Sequence, residues 1–267
     1  MLSPDEPSMS DWRPLTGELA ASVLGYGPRL VFVHGFTQTS ESWKPIATRL
    51  ARGGYESIVV DAPGHGGSGD VRVDLGTAAE MLTMMCGPAV YIGYSMGGRL
   101  CLHAATMFAR DVRGLVLVGA TPGIADEVER DTRRAADDQL ADHIERVGVE
   151  AFLDEWLAQP LFAGLVVDGA QRADRLRNSA AGLASSLRLS GTGAQASLWP
   201  RLEAATMPIL AVAGERDQKY FGIGREMADA APAARFEMIP GAGHAAHLQD
   251  PNAMCDLLQR WLLEIKW

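Results

Sequence analysis

The sequence predicts an α/β fold: an open, mostly parallel, doubly wound sheet with one helical insertion. Three observations carry this. Short runs rich in Val, Ile and Leu recur, most ending at a glycine-bearing loop, the pattern of parallel strands buried on both faces. Segments of helical periodicity separate these runs. One long stretch, from about residue 124 to 201, holds no convincing strand.

In chain order, Leu30-Val31-Phe32-Val33 reads as a strand ending at His34-Gly35. Trp43 to Arg52 reads as a helix. Ser57 to Val60 is the next strand and runs into Asp61-Ala62-Pro63-Gly64-His65-Gly66. Ala89 to Ile92 follows, then Leu115 to Val118, then Ile209 to Ala213. The sixth run, Arg235 to Pro240, alternates polar with apolar residues, which suits a strand near the sheet edge with one wet face. Ala253 to Leu263 reads as a closing helix. Between the fourth and fifth strands, Phe152, Leu153, Trp156 and Leu157 recur at helical spacing. The expected division is a core of residues 1–123 and 202–267 beneath a helical cap of 124–201. Ligands of such sheets bind at the carboxyl ends of the strands.

Composition narrows the function. Hydrophobic residues make up 47% and charged residues 21% of the 267 residues, a globular balance with a full core. The net charge of -9 argues against nucleic acid or an anionic membrane as the main partner. No apolar run approaches the roughly 20 residues that span a bilayer. The acidic, proline-bearing segment through about Asp11 reads as an added tail, not a signal peptide. Cys86, Cys101 and Cys255 are scattered and lie in apolar surroundings. Reduced core thiols and a cytoplasmic location are expected. No spacing suggests a metal site, and no cofactor is expected.

The chemistry centres on Ser95, within Gly93-Tyr94-Ser95-Met96-Gly97. A strand precedes it and a helix-like segment follows, the context of a nucleophile elbow. A serine hydroxyl needs a base, and the base needs an orienting acid. Of six histidines, His244 combines a late position with a strand-end loop and small neighbours, Gly241-Ala242-Gly243. His247 is the alternative. Asp217, in Gly214-Glu215-Arg216-Asp217, is the expected acid, with Glu215 as the alternative. The order Ser95, Asp217, His244 is that of the α/β-hydrolase fold. Backbone N–H groups of Met96, just after the serine, and Phe36, just after His34-Gly35, are the expected donors to a developing oxyanion.

Four stretches narrow the resemblance. They are Gly93 to Arg99, Trp156-Leu157-Ala158-Gln159-Pro160-Leu161-Phe162, Gly214 to Tyr220, and Ala242 to His247. Together they resemble the family of menaquinone-pathway synthases of 2-succinyl-6-hydroxy-2,4-cyclohexadiene-1-carboxylate (SHCHC). That resemblance implies a lyase that eliminates pyruvate from an enolpyruvyl cyclohexene tricarboxylate. In that chemistry the triad acts as a base and the oxyanion donors stabilise an enolate. It also implies substrate contacts at Tyr94, Arg99, Arg133, Trp156 and Arg177. Arginine suits this task because its planar fork binds carboxylates in a bidentate manner. Arg130 or Arg134 could take the place of Arg133, and most of Arg130, Arg134, Arg172 and Arg175 are expected to be solvated surface. The expected partner is a small polyanionic substrate; oligomeric state is not legible. Two other readings use the same residues: a serine esterase or carbon–carbon bond hydrolase working through an acyl-enzyme, and a ligand-binding protein without turnover.

Overall fold

The computed structural model describes residues 11–265. The amino-terminal tail lies outside the described residues, apart from Asp11. The elements follow in chain order: β1 (Arg13–Leu15), β2 (Ala21–Leu24), β3 (Arg29–Val33), α1 (Lys44–Arg52), β4 (Glu56–Val60), α2 (Leu75–Cys86), β5 (Ala89–Tyr94), α3 (Met96–Met107) and β6 (Val112–Val118). Then come α4 (Glu127–Val147), α5 (Val149–Leu157), α6 (Gly169–Arg175), α7 (Ala180–Ser190), α8 (Trp199–Glu203), β7 (Ile209–Gly214), α9 (Gln218–Ala230), β8 (Ala234–Ile239), α10 (Ala246–Gln249) and α11 (Pro251–Glu264).

The eight strands form one sheet in the order β1-β2-β4-β3-β5-β6-β7-β8. From β4 to β8 every pairing is parallel. The six expected strands all form, and the alternating run is the edge strand β8. The sequence pattern gives no sign of β1 and β2, which pair antiparallel with each other, β2 then pairing antiparallel with β4. Both are short and largely half-buried or exposed, so they carry no local apolar signal, and pairing with β4 is what makes the hairpin part of the sheet.

The pleat sends alternate residues to opposite faces. Val31, Val33, Tyr91, Leu115 and Leu117 pack beneath Leu82 of α2 and Leu100 of α3. Leu30, Phe32, Val90, Ile92 and Val116 face Leu50 of α1 and Trp261 of α11. A central strand buried on both faces must be apolar throughout, which is why these runs stand out. Cys86, Cys101 and Cys255 are free and buried.

Between β6 and β7 the described chain is helical or looped, with no strand. This excursion has its own core, in which Ala141 and Ile144 of α4 and Phe152 of α5 meet Leu183, Ala184 and Leu187 of α7. Phe36 and Trp156 pack against it, so the excursion sits over the carboxyl ends of the central strands.

Candidate active site

Ser95 lies in the turn from β5 to α3 with φ 51° and ψ −108°. A residue with a side chain is strained in this positive-φ region. The turn is fixed by the Ser95 amide donating to the Val118 carbonyl at 2.8 Å. The flanking glycines have a direct cause. A Cβ on Gly93 would strike the backbone of Gly97, and one on Gly97 would strike the Val33 carbonyl. The elbow closes only without them.

His244 follows β8 and Asp217 follows β7. The His244 Nδ1 lies 2.7 Å from Asp217 Oδ2. A carboxylate offers only acceptors, so Nδ1 carries the proton and donates. The Nε2 lone pair is left facing Ser95 Oγ, at 3.2 Å. The side chains of His244 and Asp217 are only 2% and 4% exposed. Asp217 holds two posts at once: its other oxygen, Oδ1, accepts from the Tyr220 amide and caps α9. Glu215 is exposed and instead accepts from the Gly241 amide at 2.7 Å. His247 stacks between Trp43 and Tyr94, with ring centroids 4.4 and 4.3 Å away. Among the described residues neither of its ring nitrogens has a hydrogen-bond partner.

Above Ser95 opens a cavity of about 360 Å³, lined on the core side by Phe36, Tyr94, Ser95, Met96, Arg99 and His244. Met96 opens α3, so its amide has no carbonyl one helical turn back to bond. Phe36 sits in the turn closed by the Gln38 amide on the Gly35 carbonyl at 3.1 Å. The excursion contributes Arg133, Trp156, Gln159, Phe162 and Ser190, among others. Trp156 stands edge-on to Phe36 at 5.3 Å and beside Phe162 at 5.5 Å. Its indole N–H is buried with no acceptor among the described residues.

Arg99 is 7% exposed, one turn into α3. Its Nη1 donates to the Ser190 carbonyl at 2.7 Å and to Gln195 Oε1 at 3.2 Å. Among the described residues no carboxylate lies within ion-pair distance. Burial, the largest cause, and the nearby charge of Arg133 push its pKa down to about 10. Arg133 also lines the cavity, its Nε on Asp137 Oδ1 at 2.8 Å. Arg130 and Arg134 do not line it.

One expectation for the arginines needs correction. Arg177 is not among the residues lining the cavity. It falls in the turn after α6, has a side chain 51% exposed, and pairs with Asp174 at 3.1 Å. Arg175, one of the four neighbouring arginines of which most are expected at the surface, is buried and donates to Thr37 Oγ1 at 2.7 Å. For Arg177 the reason is local: α6 ends at Arg175, and beyond a helix end the helical face no longer tells which way a side chain points. Lys219 and Tyr220 also line the cavity. Both belong to the stretch that carries Asp217, but nothing in their spacing signals that they face a ligand.

Other buried histidines serve the loops. His34 donates from Nδ1 to the Gly35 carbonyl at 2.8 Å and accepts the Ala62 amide at Nε2, 3.0 Å. His65 donates to the Pro63 carbonyl at 3.0 Å and accepts the Thr37 amide at 3.3 Å. Each ring must stay neutral to accept. Burial pushes the His65 pKa down to about 3 and lowers that of His34.

Fold and site together define the class of protein, and residues 30–257 match the alpha/beta hydrolase family. The relatives define the branch. The chain is 34% identical over 248 residues to 2-succinyl-6-hydroxy-2,4-cyclohexadiene-1-carboxylate synthase of Klebsiella pneumoniae, covering 89% of this chain and 94% of the relative. It is 34% identical over 245 residues to the synthase of that name from Citrobacter koseri, covering 88% and 94%. The structure of MenH from S. aureus superposes with a TM-score of 0.86 at 30% identity, over 91% of this chain and 98% of that one. A thermophilic esterase from Thermogutta terrifontis, with a TM-score of 0.81 at 22% identity, shares the fold. The chain belongs to the SHCHC synthase family, a branch of the α/β-hydrolases. Among the described residues no helix is long and apolar enough to cross a membrane.

Proposed function

We infer that this protein is a carbon–oxygen lyase that eliminates pyruvate from an enolpyruvyl cyclohexene tricarboxylate to give SHCHC in menaquinone biosynthesis. The observation that carries this reading is Arg99: a buried guanidinium with no carboxylate of its own, in one cavity with Ser95 and His244. A buried charge without a counter-ion is costly, and a substrate carboxylate removes that cost. A hydrolase for neutral esters has no use for it.

The residues divide the work by geometry. Asp217 holds the His244 Nδ1–H, so Nε2 can take the Ser95 proton. Ser95 Oγ then removes the proton next to the succinyl ketone. The ketone oxygen becomes an enolate facing the N–H groups of Met96 and Phe36, where one such donor is typically worth about 100-fold or more in rate. The released electron pair moves through the ring and breaks its carbon–oxygen bond. The enolpyruvate so expelled takes up a proton to become pyruvate, while the proton held by the Ser95–His244 pair is released and the base is restored. No acyl-enzyme forms. Arg99 and Arg133 bind carboxylates, and Tyr94 and Trp156 wall the ring. The cavity volume lies within the usual range for small-molecule sites, about 300–1,000 Å³. The partner is thus a small polyanion, and we place the enzyme in the cytoplasm, in keeping with its three free buried thiols.

The test is pyruvate release from the enolpyruvyl substrate, followed by coupling to lactate dehydrogenase. Turnover that vanishes in Ser95→Ala is the expected result. Absence of pyruvate, together with ester turnover and covalent labelling of Ser95 during it, would overturn the lyase in favour of a serine hydrolase.

A further inference from the structure

The loop from α7 to α8 is tied down at two points. The Gly193 amide donates to Asp137 Oδ2 at 3.1 Å, and the Leu198 amide donates to the Pro122 carbonyl at 2.7 Å. Between these anchors stands Gln195, 2% exposed. Its Oε1 accepts from Arg99, while its buried Nε2 has no acceptor among the described residues. An unsatisfied buried amide is destabilising, so its presence needs a reason. Arg99 supplies one, because it can only donate and therefore fixes which end of the amide faces it. The neighbouring acid, Asp137, does not pair with Arg99; its oxygens accept from Arg133 Nε and the Gly193 amide instead.

We propose that Gln195 is a positioning residue that aims Arg99 with a neutral acceptor and so reserves the guanidinium's charge for a substrate carboxylate. The Ser190 carbonyl, the other acceptor on Nη1, is neutral as well. A carboxylate at position 195 would have nearly the same shape and reach. It would also neutralise Arg99 in place, since a charge-assisted pair is roughly twice as strong as a neutral hydrogen bond. The weaker partner serves the chemistry better: full satisfaction of Arg99 within the protein would leave nothing for a ligand. This inference rests on the reading of Arg99 as a carboxylate binder.

Gln195→Glu separates this role from plain packing, because the two predict opposite signs for stability. Arg99 gains a counter-ion in the variant, so Tm is expected to rise. At the same time KM for the enolpyruvyl substrate should rise about 10-fold or more, the equivalent of roughly 1.4 kcal/mol, with kcat changed less than about threefold. In an Arg99→Ala background the same replacement should leave KM unchanged within about twofold and give no gain in Tm. Gln195→Met, which removes the acceptor without adding charge, should raise KM without raising Tm. A Gln195→Glu protein with unaltered KM, or with a KM defect that persists without Arg99, overturns the proposal. If the parent protein releases no pyruvate, the lyase reading fails. The Tm comparison with and without Arg99 still decides whether residue 195 governs the charge of that guanidinium.

Discussion

Ser95 and Asp217 leave strands in which every residue is buried, and His244 leaves the neighbouring edge strand. Arg133 and Arg177 instead hang from a helical excursion in which most of the long α4 is exposed or half-buried. The two regions meet across one cavity, yet they differ in what fixes a side chain. A parallel sheet sets the positions of its end loops to within a residue, because a slip of one would turn an entire strand inside out. A cap helix can rotate by a fraction of a turn and still bury its stripe. The core side of the site is thus specified by pattern, and the cap side by packing.

This contrast can be broken by measurement. The largest effect should fall on the core side. Ser95→Ala is expected to lower kcat by about 10³-fold or more while ligand affinity stays within about threefold, as read by calorimetry with product. Arg99→Ala, still on the core side, should lower kcat/KM by about 100-fold, or roughly 2.7 kcal/mol, with most of it in KM. A comparable effect on Tm would mean that Arg99 serves the fold rather than the ligand.

Acid should weaken the core side. His34, His65 and His247 are buried beneath the core loops and have pKa values lowered by burial. The unfolded chain takes up protons near pH 6.5, but the folded protein resists until far lower pH, down to about 3 for His65. Stability should therefore fall as pH drops below about 6.5, and at pH 5 His65 alone would account for about 2 kcal/mol. Thermal melts from pH 7 to pH 5 check this; a flat Tm would contradict it.

The smallest effects sharpen the cap. Arg133→Ala should raise KM about 10-fold, whereas Arg177→Ala should change it less than about twofold, because a surface ion pair is worth little. Equal losses in the two variants would mean that the turn after α6 rearranges over a bound ligand.

How much was legible follows from these physical differences. The elbow could be read because its glycines answer a local collision, and the triad order because each member ends a recognisable strand. The hairpin β1–β2 could not, since its stability comes from β4, more than 30 residues away from either strand's start in the chain. Arg175 and Arg177 could not be told apart, because both lie in an arginine-rich run at a helix end and only the fold buries one of them. Gln195 carried no signal, because a lone glutamine in a loop has no periodicity to mark it.

Sequence alone determined the six parallel strands, the hydroxyl–carboxylate–imidazole order and the family, because each is written in short-range patterns that one chain displays. Tertiary structure decided which cations face the cavity and what holds them. That choice depends on contacts between segments about 90 or more residues apart, such as Arg99 with Ser190 and Gln195, and no local pattern records which of several equivalent side chains will meet.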